Sequence, residues 1–251
     1  MKKWQFFYSI IIICFLFLTC KPKTYNSLED ALQNPEKVYK LNLWGKNLEK
    51  IPPEISKLSN LISLSLSNNR LAQLPPEIGK LKKLKKLFIM HNNLKELPKE
   101  IGQLIALEEL ILDTNLLKDL PPEIGNLKNL TKLNLGNNFL IILPPEITNL
   151  ISLTELYVQK NHLNKIPSQI GNLRNLKSLF LWSNNISKIP TEIGKLEKLE
   201  LLYLWKNNLT TLPDEIKNLK RLKRLDIKRN PLSEKEKERI KSLLPNVNVS
   251  F

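Results

Sequence analysis

The chain has 251 residues, 42% of them hydrophobic, with 39 Lys plus Arg against 24 Asp plus Glu and a formal net charge of +15. Length and apolar content suffice for a sizeable core, and with only two cysteines, Cys14 and Cys20, a disulfide-stapled scaffold is excluded. An excess of positive charge attracts acidic proteins, anionic lipid heads, sulfated glycans or nucleic acid.

At the N-terminus, Lys2 and Lys3 precede a largely apolar run of 13 residues, Phe6 to Leu18. That is short for a bilayer span but suits the core of a signal peptide, so residues 1–19 are expected to direct export. Phe17-Leu18-Thr19-Cys20 resembles a bacterial lipobox, which implies acylation of Cys20 and a lipid anchor in the membrane. Two positions depart from that pattern. Phe17 stands where Leu is expected, and Thr19 where a small residue is expected. Soluble secretion or an uncleaved anchor are the alternatives, and Cys20 would then be an incidental thiol.

Residues 20–26 are expected to form a short tether and residues 27–37 an N-terminal cap helix. Ser27-Leu28-Glu29-Asp30 reads as a capping box that starts this helix, and Pro35 ends it. From residue 38 to 232 one pattern recurs every 23 residues without insertion. Asn69, Asn92, Asn115, Asn138, Asn161, Asn184, Asn207 and Asn230 carry it, in phase with leucines from Leu41 to Leu225 in nine units.

The unit Leu130 to Ser152 shows the physics. Leu133 and Leu135 alternate with Lys132, Asn134 and Gly136, as expected of a short half-buried strand. Asn138 carries both donors and an acceptor for backbone groups where the chain leaves the strand. Pro144 and Pro145 fix φ for a short helical turn, Glu146 sits at its positive end, and Ile147, Leu150 and Leu153 pack inward. One such unit cannot bury its own apolar stripe, so the units must stack. At ~4.8 Å per strand, nine units give a sheet roughly 40 Å long. Ser233 to Glu236 reads as a second capping box, opening a C-terminal cap over 233–251 whose stripe is Ile240, Leu243 and Leu244.

The unit L-x-x-L-x-L-x-x-N-x-L-x-x-L-P-x-E-I-x-x-L-x-x resembles the leucine-rich repeat. The resemblance implies an α/β repeat solenoid: a curved parallel β-sheet on the concave side, with short helical or 3-10 turns on the convex side. The perfect period, the L-P-x-E-I-G-x-L-x-x-L phrasing of Leu74 to Leu84 and the Leu243-Leu244-Pro245-Asn246-Val247 ending are similar to leucine-rich repeat proteins of spirochaetes. That likeness is specific for fold and weak for function.

Enzymatic chemistry finds no foothold. The repeats hold no cysteine and only His91 and His162, three units apart, and there is no phosphate loop, G-x-S-x-G or H-E-x-x-H. No cofactor, metal or nucleic-acid partner is expected. Function should then sit on the outward strand positions. Tyr157, Phe180 and Tyr203 fall at one height on adjacent units, with Trp182 and Trp205 in the neighbouring row. These five are the expected contact set for a protein partner. The bland alternative is that aromatics suit strands and stack on one another.

Lys80, Lys82, Lys83, Lys85 and Lys86 form a secondary basic patch, with a second cluster from Lys217 to Arg229. The expected function is a non-enzymatic exported binding module. The rivals are a basic adhesin for polyanions or matrix glycans and an envelope protein with no specific ligand.

Overall fold

The computed structural model describes residues 23–251. The signal segment 1–19 and Cys20 lie outside the described residues. The sheet has 11 parallel strands in sequence order. They are β1 Thr24–Tyr25, β2 Lys40–Asn42, β3 Ser63–Ser65, β4 Lys86–Phe88, β5 Glu109–Ile111 and β6 Lys132–Asn134. The sheet continues with β7 Glu155–Tyr157, β8 Ser178–Phe180, β9 Leu201–Tyr203, β10 Arg224–Asp226 and β11 Asn248–Ser250. Nine of these belong to the repeat units. β1 and β11 extend the sheet by pairing with β2 and β10, a role the sequence reading did not foresee.

The register between successive repeat units follows the period, so Leu64 faces Leu87 and Leu156 faces Leu179. Each strand's central leucine therefore enters one continuous core. In the fifth unit Leu133, Leu135, Leu140, Ile147 and Leu150 are all fully buried. The return leg is a 3-10 turn, here Pro145–Asn149, with the Ile147 N–H donating to the Pro144 carbonyl at 3.0 Å. Pro144 holds extended geometry just before the turn and Pro145 occupies its first position. Gly102 stands where the next turn comes closest: a Cβ there would strike the Glu123 carbonyl oxygen.

The asparagine ladder has a direction. Asn138 Nδ2 donates to the carbonyls of Leu135 and Gly136 in its own unit and of Leu112 in the preceding one, while Oδ1 accepts from the Leu117 N–H at 3.0 Å. The same reach-back bonds recur from Asn69 to Asn230. Each asparagine thus fastens its unit to the one before. This explains Lys46 in the first unit, where no complete unit precedes.

Directly before the ladder runs a row of left-handed residues: Asn68, His91, Thr114, Asn137, Lys160, Ser183, Lys206 and Arg229, with φ between 50° and 58°. Glycine and, after it, Asn and Asp visit this region most readily, so His91, Lys160, Lys206 and Arg229 are held there by the demands of the repeat. The row turns the chain out of each strand. In the first unit the corresponding residue is Gly45, and Asn47 is left-handed as well.

At the N-terminal end, Ser27 caps the helix Leu28–Gln33 by accepting from the Asp30 N–H at 3.3 Å. At the C-terminal end, Ser233 caps the helix Glu234–Leu243 by accepting from the Glu236 N–H at 3.2 Å. The expected reciprocal half of that second capping box does not form, because Glu236 turns back onto the repeats. It accepts from Thr211 at 2.9 Å, the Leu212 N–H at 3.0 Å and Arg239. The Arg239 hydrogen bond outweighs the opposing effect of burial and holds the Glu236 carboxyl down to about 2. The helix is fastened by this network as well as by Ile240 and Leu244, which are buried.

Candidate functional site

Because the register is exact from unit to unit, outward side chains form straight rows across the strands. Tyr157 pairs with Phe180 and Phe180 with Tyr203 in the sheet. Their rings stack at centroid separations of 4.5 and 4.8 Å, within 9° of parallel. Trp182 and Trp205 stack at 4.6 Å in the adjacent row. The structure thus brings the five expected residues together as two rails, and it also shows the mutual stacking of the bland alternative.

Cations close three of the four rail ends, Trp205 being the exception. Lys132 lies over the Tyr157 ring at 5.3 Å, Arg224 over Tyr203 at 5.6 Å and Lys160 over Trp182 at 5.4 Å. Such contacts are worth roughly 0.5–1 kcal/mol at exposed sites. The Tyr157 hydroxyl donates to Glu155 at 2.8 Å, and Glu155 pairs with Lys132 at 3.1 Å. Burial and that carboxylate push the Tyr157 phenol up to about 12. Burial works to raise Glu155, but the Tyr157 hydroxyl and Lys132 prevail and hold its carboxyl below the ordinary value.

All five rings are half-buried by one another, so the cost expected of a bare aromatic patch is largely avoided. What the rails mainly offer to a partner is ring edges, since every stacked face but the outer one of Trp205 is taken by a neighbour or a cation.

The first half of the concave face is built differently. Ser63, Ser65 and Ser67 line β3 and its continuation between Trp44 on one side and Phe88 and Met90 on the other. The result is a hollow of about 380 Å³ lined by Lys40, Asn42, Trp44, Ser63, Ser65 and Phe88, among others. Trp44, with no ring beside it, is 57% exposed. Between the halves, Gly136 leaves room that the Asp113 and Gln159 side chains fill from either side.

Charge divides the same way. Where the chain leaves the strands beside the tryptophans, residues 159–165, 182–188 and 205–211 carry Lys160, Lys165, Lys188 and Lys206 and no Asp or Glu, and the matching 228–234 carries Lys228 and Arg229 with Glu234, which pairs with Lys237. Three equivalent stretches of the earlier units mix signs, with Glu49, Glu96, Asp113 and Asp119 among the lysines, while 67–73 carries Arg70 alone and 136–142 no charge. The lysine cluster from Lys80 to Lys86, across the second and third units, is largely engaged. Lys85 pairs with Glu108 at 2.7 Å and Lys86 with Glu109 at 2.5 Å. Lys82 donates to Gln103 Oε1 at 3.0 Å and Lys83 to Asn60 Oδ1 at 2.7 Å. Lys80 is exposed on the convex turn Pro76–Lys80.

His91 and His162 are exposed, the first in the left-handed row and the second against Phe139 at 5.7 Å. Among the described residues no group of three or more His, Cys, Asp or Glu side chains is placed to hold a metal ion. Nor is any helix there long and apolar enough to cross a membrane.

Sequence reasoning missed a second apolar surface. Phe139, Ile141 and Ile142 are 46%, 54% and 49% exposed on the lateral edge of the fifth unit, next to Leu116. Ile142 borders a groove of about 440 Å³ shared with Pro145, Ile166 and Pro167. The signal was present: these positions are polar in the seventh unit, as Asn185, Ser187 and Lys188.

The leucine-rich repeat region family matches residues 18–115, 78–165 and 164–244, together most of the chain. The chain belongs to the leucine-rich repeat family. Solved structures it resembles include a leucine-rich repeat protein from Leptospira interrogans, 29% identical over 91% of this chain and 100% of that one, with a TM-score of 0.40. An internalin from Listeria monocytogenes is 22% identical over 90% of this chain and 64% of its own, with a TM-score of 0.79, a likeness of fold. The leucine-rich repeat ectodomain of the plant membrane receptor kinase GASSHO1/SCHENGEN3 from Arabidopsis thaliana was solved in complex with CASPARIAN STRIP INTEGRITY FACTOR 2. It is 32% identical over 83% of this chain, with a TM-score of 0.64. This chain spans 29% of that ectodomain's length. None of the curated proteins matches the chain.

Proposed function

We propose that the protein is a non-enzymatic binding module, exported and held at the bacterial envelope by acylation of Cys20, in the manner of the spirochaete leucine-rich repeat proteins. It takes a protein ligand on the second half of its concave face, through Tyr157, Phe180, Trp182, Tyr203 and Trp205. The observation that carries this reading is the pair of stacked aromatic rails, rigid on a sheet and bordered by charge. An apolar centre with a charged rim is a common interface design. The plant receptor ectodomain, solved with its ligand bound, lends support by likeness of repeat and strand architecture. The lysines from Lys80 to Lys86 support a glycan adhesin less, since four of the five already donate to neighbours.

The test begins with a binding screen against host matrix, serum and envelope proteins. For a ligand so found, Trp182→Ala and Trp205→Ala should each weaken binding by ~2 kcal/mol or more, as hot-spot aromatics do. Parent-like affinity in both variants excludes the concave rails, and the absence of any ligand favours the purely structural envelope role. Independently, Cys20→Ala should abolish metabolic lipid labelling and shift the protein out of the detergent phase; unchanged partitioning excludes the tether.

A further inference from the structure

Resting on the reading above, we infer that the ligand at the rails is an extended acidic segment of a protein. It would run across strands β7 to β10 with apolar side chains against the ring edges. Its carboxylates would lie along the side where the chain leaves the strands.

Three observations converge on this. The first is what the rings expose. Tyr157, Phe180 and Tyr203 form a closed stack, and so do Trp182 and Trp205. Lys132, Arg224 and Lys160 cover outer faces. A planar ligand that needs a free ring face has at most the outer face of Trp205 to stack on. Ring edges are the positive part of the aromatic quadrupole, so they favour carbonyl and carboxylate oxygens over cations.

The second is the one-signed border. Lys160 beyond β7, Lys206 beyond β9 and Lys228 with Arg229 beyond β10 border the tryptophan row, with Ser183 at the β8 place; the nearest carboxylate on that side, Asp226, accepts from the Lys228 backbone N–H at 3.3 Å. None of the four is in an ion pair with another described residue. On the opposite border Lys132 is paired with Glu155 and Lys223 with Glu200. Charge complementarity therefore points to one side of the rails.

The third is spacing. Lys160 and Lys206 extend from units two strands apart, roughly 10 Å along the sheet at ~4.8 Å per strand. Three residues of polyproline II chain, with three to the turn and ~3.1 Å of rise each, cover about the same distance and return to the same face. Acidic residues three apart, separated by apolar ones, would meet both lysines while the intervening side chains reach the rings.

The probe is a fluorescent peptide, Asp-Leu-Phe-Asp-Leu-Phe-Asp, compared with analogues in which every Asp is Asn or Lys, titrated into the full chain in detergent. The acidic peptide should bind most tightly, the Asn analogue roughly tenfold or more weakly, and the Lys analogue least. Its affinity should fall between low and physiological ionic strength. The double variant Lys206→Glu/Arg229→Glu should reverse the preference between the acidic and Lys peptides, and Trp205→Ala should weaken all three. Lys82→Glu/Lys83→Glu serves as the control and should behave as the parent; thermal melts of each variant confirm the fold.

Equal binding of the acidic and Asn peptides overturns the charge inference, while a Trp205→Ala loss in the same experiment keeps the concave site. No binding of the acidic peptide to the parent overturns it too, as does binding that neither the charge reversal nor Trp205→Ala changes; the last result would also remove the rails as a binding site. Heparin displacing the peptide with an affinity independent of Trp205 would assign the cationic border to a sulfated glycan instead.

Discussion

Strands β3 and β8 share a backbone, a register and a buried leucine, yet they face the concave side with opposite materials. On β3 the outward residues are Ser63 and Ser65, which leave a hollow beside an isolated Trp44. On β8 they are Ser178 and Phe180, and Phe180 is clamped between two tyrosine rings. The inward side of a unit is nearly constant because every unit must bury the same stripe against its neighbours. The outward side is free of that demand. In a solenoid, stability and recognition are therefore written on different residues of the same strand, and each can be perturbed without the other.

The largest effect should be blind to the difference. Asn92 lies in the half that carries the serines and Asn184 in the half with the aromatics, and both make the same reach-back bonds to the preceding unit. Changing either to Ala strands a buried N–H and buried carbonyls, at a cost of about 3 kcal/mol. Urea denaturation should give matching midpoint losses for the two. A cost confined to one half would show that the ladder is not the uniform device it appears from its geometry. Asn47, left-handed and exposed in the first unit, should cost less on replacement by Gly, which keeps the backbone.

A smaller effect should separate the halves. Phe180→Ala removes two ring stacks, each worth ~0.5–1.5 kcal/mol, so a loss of about 2 kcal/mol is expected in the same denaturation assay. Ser65→Ala, at the matching place on β3, should fall within ~0.5 kcal/mol of the parent. If Phe180→Ala is equally silent, the rails add nothing to the fold, and their stacking is only a consequence of crowding.

Alkaline pH gives a further distinction. The Tyr157 phenol is raised to about 12 by burial and by Glu155. A raised value means that the fold favours the neutral phenol. Its contribution is complete below the unfolded value of about 10 and disappears as pH climbs through the folded value. Stability should accordingly fall more steeply between those two points in the parent than in Tyr157→Phe. The phenolate absorbance lost on making that variant should be the part that develops latest. Coincident profiles would mean that Glu155 and burial do not act on Tyr157 as the geometry indicates.

Much of this was legible in the residues. The 23-residue phase of Leu and Asn fixes strand, turn and stacking direction, because no other arrangement buries Leu133, Leu135 and Ile147 at once. The five aromatics were legible as a group for the same reason: the period aligns them. Three things were not. The pairing of β1 and β11 onto the sheet depends on short segments without periodicity. Glu236 obeys a local capping pattern in sequence, but in three dimensions Arg239, Thr211 and Leu212 compete for it and win. The lateral Phe139, Ile141 and Ile142 sit in a stretch that reads as continuous core, and only the path of the loop shows that they point outward.

The smallest expected effect concerns the left-handed row, which crosses both halves unchanged. Thr114 and Lys206 adopt φ of 57° and 56°, where a side chain with a Cβ is strained and a β-branched one more so. Asn tolerates the region, as Asn68 and Asn137 in the same row illustrate. Thr114→Asn and Lys206→Asn should therefore each stabilise the fold, by up to ~1 kcal/mol. The gain at Thr114 is offset in part by loss of its 2.7 Å hydrogen bond to Asp113. At Lys206 no hydrogen bond from the side chain to a described residue is sacrificed. The two halves should then part company in binding: Thr114→Asn should leave the acidic peptide's affinity untouched, while Lys206→Asn, though more stable, should bind it less well. A variant more stable yet weaker in recognition would locate the two properties on separate demands of one residue. A Lys206→Asn protein that is less stable than the parent would show instead that the lysine is held by the fold and is not available to a ligand.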